Sequence, residues 1–127
     1  MIDRKPIAYD PEWQEKYLDM IATPEKALSY LKPGHHVFIG TGCGEPVELV
    51  KAMTARSGHL SGVEIIHLLT KGEAPYAARK YADCFQVNTF FVGRNIREHI
   101  QAGLGDYTPM LLSDIPKILI FFNDIDV

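Results

Sequence analysis

One stretch, FIGTGCGEPVELVKAM from Phe38 to Met53, restricts the possible folds more than any other. A short apolar run enters a turn with three glycines in five positions, and an acid–proline step then opens a helix. Val47, Val50 and Met53 fall in one stripe flanked by Leu49 and Ala52, the spacing of an amphipathic helix from Pro46 to about Ser57. Gly58 closes it. Strand, glycine turn, helix aims backbone N–H groups and a helix dipole at whatever lies beyond the strand end. The same glycines also serve a plainer purpose, a tight change of direction.

The pattern recurs along the chain. VEIIHLLT, Val63 to Thr70, is nearly continuous in apolar residues, as expected of a strand covered on both faces. FQVNTFFVG, Phe85 to Gly93, is rich in β-branched and aromatic residues, and Asn95 to about Ala102 reads as a helix closed by Gly103 and Gly105. Upstream, residues 10–20 read as a helix with Trp13 and Tyr17 on one face. A further helix starts at Thr23-Pro24, a hydroxyl cap followed by proline in the first turn, and stops at Lys32-Pro33-Gly34. Ile118 to Phe122 fits a short helix or a strand. The closing NDIDV reads as a turn followed by the first residues of another strand, so the chain stops inside an element on this reading. Helices alternating with buried strands predict an α/β domain with a mainly parallel sheet flanked by helices.

Composition sets outer limits. A single domain of 127 residues buries roughly two-thirds of its unfolded surface, enough for a core. A net charge of −3 leaves no basic footprint for nucleic acid. No apolar run approaches the roughly 20 residues that span a bilayer. The start, MIDRKPIAYDPEW, has no apolar core of a secretory signal, and two cysteines make no disulfide framework, so the expected location is cytoplasmic. His35 and His36 point to opposite faces of a strand, and His59, His67 and His99 share no ligand spacing; no metal site is expected.

The familiar glycine loops do not fit. A dinucleotide fingerprint wants a third glycine where Glu45 stands, and Thr70-Lys71 end the second strand in place of a ribose-binding acid. A phosphate loop wants Lys-Ser/Thr where Glu45-Pro46 follow. Cys43 near a helix start is a candidate nucleophile, with a small structural cysteine as the plainer reading. Glu45 likewise has a plain role as a first-turn acid. A turn of this kind suits a neutral or singly charged group, such as a thioester carbonyl or a carboxylate.

Three segments in order, KPGHHVFIGTGCGEP, VEIIHLLTKGEAPY and FFVGRNIREHIQAGLGDYTPMLLSDIP, resemble the N-terminal half of the acetyl-CoA hydrolase/transferase family. The resemblance runs from Trp13 to Pro116. It implies a CoA-transferase (NagB/RpiA-like) domain, incomplete at its C-terminus, occupying residues 1–127, with the catalytic C-terminal domain lying outside this chain. It further implies that two related α/β domains pack around an acyl-CoA cleft. There a glutamate attacks the thioester, giving an anhydride and then a glutamyl-CoA thioester, which a carboxylic acid or water resolves. None of Glu45, Glu48, Glu64, Glu73 or Glu98 matches that glutamate's motif, so no catalytic residue is expected in this chain.

The resemblance places Gly40, Thr41, Gly42, Cys43, Gly44, Glu45 and Pro46 on the substrate and CoA side of the cleft. Gly72, Ala74 and Pro75 of the Lys71–Tyr76 loop join them, with Asn95 and Arg97 after the third strand. Arg94 or Arg97 would pair with a carboxylate or a CoA phosphate, or be a solvated charge. Asp106-Tyr107-Thr108-Pro109 would hold neighbouring backbone. Coenzyme A enters as substrate, with no tightly bound cofactor. The expected partners are an acyl-CoA, a small carboxylic acid, and the missing domain or a homologous subunit, with self-association into a homo-oligomer. Two alternatives remain: a non-catalytic half-domain that binds acyl-CoA or a partner, and a small thiol enzyme using Cys43.

Overall fold

The computed structural model of the chain describes residues 10–122 and 125–127. Four parallel strands, β1 (His36–Ile39), β2 (Val63–His67), β3 (Phe85–Thr89) and β4 (Gly105–Tyr107), lie side by side in sequence order. The register pairs Val37 with Ile65 and Ile65 with Val87, which in turn faces Gly105. Right-handed crossovers stepping in one direction place every connection on the same side of such a sheet. Burial agrees with that rule. Val37, Ile39, Val63, Ile65, Phe85 and Val87 are buried, whereas His36, Phe38, Glu64, Ile66 and Asn88 are half-buried and Gln86 is exposed.

The expectation of a second strand covered on both faces is met fully on one face, while on the other β2 is half-buried. That second face carries a polar ladder. Asn88 Nδ2 donates to Glu64 Oε1 at 2.9 Å, and His36 Nε2 lies 3.2 Å from Glu64 Oε2. Thr108 Oγ1 donates to Asn88 Oδ1 at 2.8 Å, and Gln86 Nε2 to Asp106 Oδ2 at 2.9 Å. The DYTP segment thus reaches β3 through side chains as well as backbone, with Thr108 N–H donating to the Thr89 carbonyl at 3.0 Å. Its first half belongs to β4, a strand that the glycine pair on either side of Leu104 had masked.

The helices are shorter than their sequence patterns. Helix α1 (Trp13–Lys16) and the 3₁₀ turn Leu18–Met20 leave Trp13 and Tyr17 exposed, so their shared face is not a core face. Helix α2 (Pro24–Ala27) starts where expected, with Thr23 Oγ1 accepting from Lys26 N–H at 3.3 Å. Helix α3 (Val47–Ala55) buries Val50, Met53 and Thr54, while Val47 is 48% exposed. Helix α4 spans Arg97–Gln101, and the Ile118–Phe122 run belongs to a helix, α5 (Ile115–Phe122). Leu28, Leu31, Leu60, Tyr76 and Ile96 join the strand and α3 residues in one core.

Asp126 and Val127 run beside β1. Phe38 N–H donates to the Val127 carbonyl at 2.9 Å, and Asp126 and Val127 N–H both reach the His36 carbonyl, at 2.9 and 3.3 Å. That is the slanted pattern of parallel pairing. It accords with the strand beginning read from the closing residues; the turn expected at Asn123-Asp124 and the start, Met1 to Tyr9, lie outside the described residues. Among the described residues no helix is long and apolar enough to cross a membrane.

Candidate functional site

Because all four strands are parallel, their carboxyl ends share one rim, the usual place for ligands in open α/β sheets. Three segments meet there: the turn after β1, the loop after β2 and the segment after β3. Backbone bonds join them past the strand ends, such as Phe91 N–H to the Leu68 carbonyl at 2.8 Å, and polar side chains fasten them further.

Thr41 Oγ1 donates to the Leu69 carbonyl at 2.7 Å and accepts from Leu69 N–H at 3.1 Å, while Gly42 N–H also reaches the Leu69 carbonyl, at 3.1 Å. These bonds divert Leu69 out of strand pairing, which is why β2 stops at His67, before the apolar run ends. The Gly44 and Glu45 N–H groups bond to the carbonyls of Thr41 and Gly42 within the turn. In this conformation the amides of Gly42, Gly44 and Glu45 therefore serve the protein, and the idea that they face a ligand is narrowed accordingly. Gly40 is half-buried under the turn, Cys43 and Gly44 are exposed on it, and Pro46 is half-buried at the entry to α3.

Glu45 is the central tie. Its Oε2 accepts from Thr70 Oγ1 at 2.9 Å, Lys71 N–H at 3.1 Å and Gly72 N–H at 2.9 Å. Partial burial pushes the Glu45 carboxyl up, but the donations from Gly72, Thr70 and Lys71 outweigh it and hold the group below the usual carboxylate range. Gly72 has to be glycine for this contact, since a Cβ there would stand 2.5 Å from Glu45 Oε1.

Asn95 fastens the third segment, its Nδ2 donating to the Gly72 carbonyl at 2.7 Å. Gly93 allows the approach, because a Cβ there would meet Asn95 Oδ1 at 2.6 Å. Ala74 is buried with φ at +47°, a left-handed conformation that costs a non-glycine residue about 1 kcal/mol, and it turns the chain into the 3₁₀ turn Pro75–Ala77. Arg97, at the start of α4, is exposed.

Beneath the rim lies a buried polar layer that the sequence reading passed over. The Tyr76 hydroxyl interacts with the Thr70 side chain without the geometry of a full hydrogen bond. His67 is fully buried beside the Tyr76 ring, at 6.2 Å between centroids, with Nδ1 3.1 Å from Thr89 Oγ1. Burial pushes the imidazole down to about 4, so it is neutral at pH 7. A lone histidine inside the apolar run IIHLL was the available signal for this layer. Thr70, at the end of that run, was the signal for the partner of Glu45.

An open pocket of about 290 Å³ lies between the second and third segments, lined by Leu69, Thr70, Lys71, Gly93, Arg94 and Asn95. Of the expected site residues it takes in Asn95, and of the two arginines it takes Arg94 and not Arg97.

Known proteins carry the same arrangement of sequence. The chain is 33% identical over 107 residues to 4-hydroxybutyrate coenzyme A transferase of Clostridium kluyveri, covering 84% of this chain and 25% of that protein. It is 35% identical over 96 residues to succinyl-CoA:acetate/propanoyl-CoA:succinate CoA transferase of Fasciola hepatica, covering 74% of this chain and 20% of that one. The chain thus spans a quarter or less of the length of these two relatives. Among solved structures, RipA from Yersinia pestis superposes with a TM-score of 0.75 at 23% identity, over 83% of this chain and 27% of that one. A mutant RipA structure gives a TM-score of 0.80 at 22% identity, over 91% and 29%. Those likenesses establish the fold. Residues 3–127 match the family model described as the acetyl-CoA hydrolase/transferase N-terminal domain, and the chain therefore belongs to the acetyl-CoA hydrolase/transferase family.

Proposed function

We propose that this chain supplies one wall of the acyl-CoA cleft of an enzyme that moves CoA between an acyl-CoA and a carboxylic acid. The observation that carries this reading is the rim itself: three loops at the carboxyl ends of parallel strands, locked together by Glu45 and Asn95 beside an open pocket. A wall of that kind holds a thioester in a fixed pose, so that binding at the rim lowers the entropic part of the barrier to attack. In this proposal the wall comprises Gly40 to Pro46, Gly72, Ala74, Pro75 and Asn95, together with Arg97 at its outer edge.

The attacking glutamate comes from polypeptide outside residues 1–127. It displaces the CoA thiolate to give an anhydride. The thiolate then returns to the glutamyl carbonyl, releases the acid, and leaves a glutamyl-CoA thioester for the next carboxylate or for water. Glu45 is unsuited to that role, because three donors hold one of its oxygens and depress its basicity.

The test is acyl-CoA:carboxylate exchange. The 127-residue chain alone is expected to show none, and to show exchange when joined to the remaining length of its 4-hydroxybutyrate CoA-transferase relative. A CoA adduct on one of this chain's own glutamates would refute the external nucleophile. The exposure of Cys43 favours the thiol enzyme as a second reading. Exchange that survives Cys43→Ala eliminates it.

A further inference from the structure

The pocket between the β2 and β3 exits has a chemical character of its own. Its lining includes two cationic residues, Lys71 and Arg94, and no acidic one. Glu45 stays ionised but is turned onto the Lys71 and Gly72 amides and the Thr70 hydroxyl, so its Oε2 is engaged inside the loop and does not line the pocket. Asn95 is pinned to the Gly72 carbonyl through its Nδ2, which fixes one wall. Gly93 keeps the floor at backbone level, and Leu69 adds an aliphatic side. A guanidinium and an ammonium beside a preformed opening of this kind suit an oxygen anion, the first through paired N–H donors and the second as a point charge.

We propose that this pocket is a subsite for an oxygen anion, held by Arg94 and Lys71 and kept in shape by Glu45 and Asn95. The anion is either the carboxylate of a small aliphatic acid or a phosphate of coenzyme A; the acyl-CoA reading supplies only this choice of sources. Arg94, and not Arg97, carries the recognition. Glu45 and Asn95 are positioning residues here: they touch the loops and not the ligand.

The experiment is an amide NMR titration of the 127-residue chain at low ionic strength, with butyrate in one arm and coenzyme A in the other. The expected result is saturable movement of the Lys71, Gly72, Arg94 and Asn95 signals in at least one arm. Butyrate alone acting assigns the carboxylate source, and coenzyme A alone assigns the phosphate source. Arg94→Gln or Lys71→Gln is expected to weaken binding about tenfold each, the loss of one charge-assisted hydrogen bond. Both side chains are exposed, so the spectra of these variants are expected to remain those of the folded protein. Lys26→Ala, on α2, is the control that leaves binding unchanged. No movement in either arm, or undiminished movement in the Arg94→Gln/Lys71→Gln double variant, overturns the subsite. If acetyl-CoA moves the Gly40–Glu45 signals while neither probe moves the pocket, the subsite falls and the cleft reading stands. If butyrate fills the pocket while the joined protein exchanges no CoA, the reverse holds.

Discussion

Glu45 shows how one carboxylate ties loops beyond a sheet. Past the strand ends single backbone bonds join the loops, Gly42 N–H to the Leu69 carbonyl and Phe91 N–H to the Leu68 carbonyl, and three donors on Oε2 fasten the first two loops. Losing a partially buried, charge-assisted acceptor leaves the Lys71 and Gly72 amides without their partner. Glu45→Ala is expected to destabilise the fold by about 2 kcal/mol and to speed hydrogen exchange selectively at those two amides. Glu45→Gln, which keeps an acceptor oxygen, is expected to recover part of the protection; equal exchange in both variants would contradict the tie. His67 gives a pH signature. Its folded-state pKa lies below the unfolded value, so the unfolded chain binds the extra proton, and stability falls as pH drops from about 6.5 towards 4. The expected loss is on the order of 3 kcal/mol, with Glu45 adding to it at the acid end because its carboxyl is also depressed. Denaturant melts across that window are expected to flatten in His67→Gln. The sequence displayed both residues but not their partners. Thr70 and Thr41 are ordinary polar residues until folding brings residues 25 to 28 positions apart within hydrogen-bond distance.

At the scale of elements, α3 separates what periodicity reveals from what it does not. Its existence and start follow from the acid–proline step and the apolar spacing, but the buried stripe is Val50, Met53 and Thr54, with Thr54 Oγ1 bonded to the Val50 carbonyl at 2.9 Å. Val47, one turn earlier, is exposed, although α2 and the 75–77 turn both pack on the helix. Met53→Ala is therefore expected to cost about 2–5 kcal/mol, and Val47→Ala under about 0.5 kcal/mol, by thermal or denaturant unfolding. Comparable costs would restore the stripe as read from sequence. β1, β2 and β3 were legible because each is a compact apolar run between breakers. β4 was not, since GDY carries no strand signal and is held by the ladder it joins and by the Gln86–Asp106 and Thr108–Asn88 bonds. The strand ends were overrun for a physical reason: the apolar residues beyond His67 and Thr89 build the rim.

For the whole molecule, among the described residues one face of the parallel sheet is fully buried in the core that α3 shares, and the other is half-buried. The chain spans a quarter or less of two relatives described as CoA transferases. The α/β class, the parallel sheet and the family were all readable from three segments in order. Which amides remain free for a ligand was not, because it depends on hydrogen bonds between loops that sequence leaves far apart. The central claim is that the carboxyl-end rim is the wall against which acyl-CoA lies. Photo-crosslinking with an acyl-CoA bearing a light-activated acyl group, mapped by peptide mass spectrometry, tests it most directly. The account predicts labels on the peptides containing Gly40–Pro46, Lys71–Tyr76 and Gly93–Arg97; labels confined to the opposite strand ends, around His36, Val63 and Phe85, would contradict it.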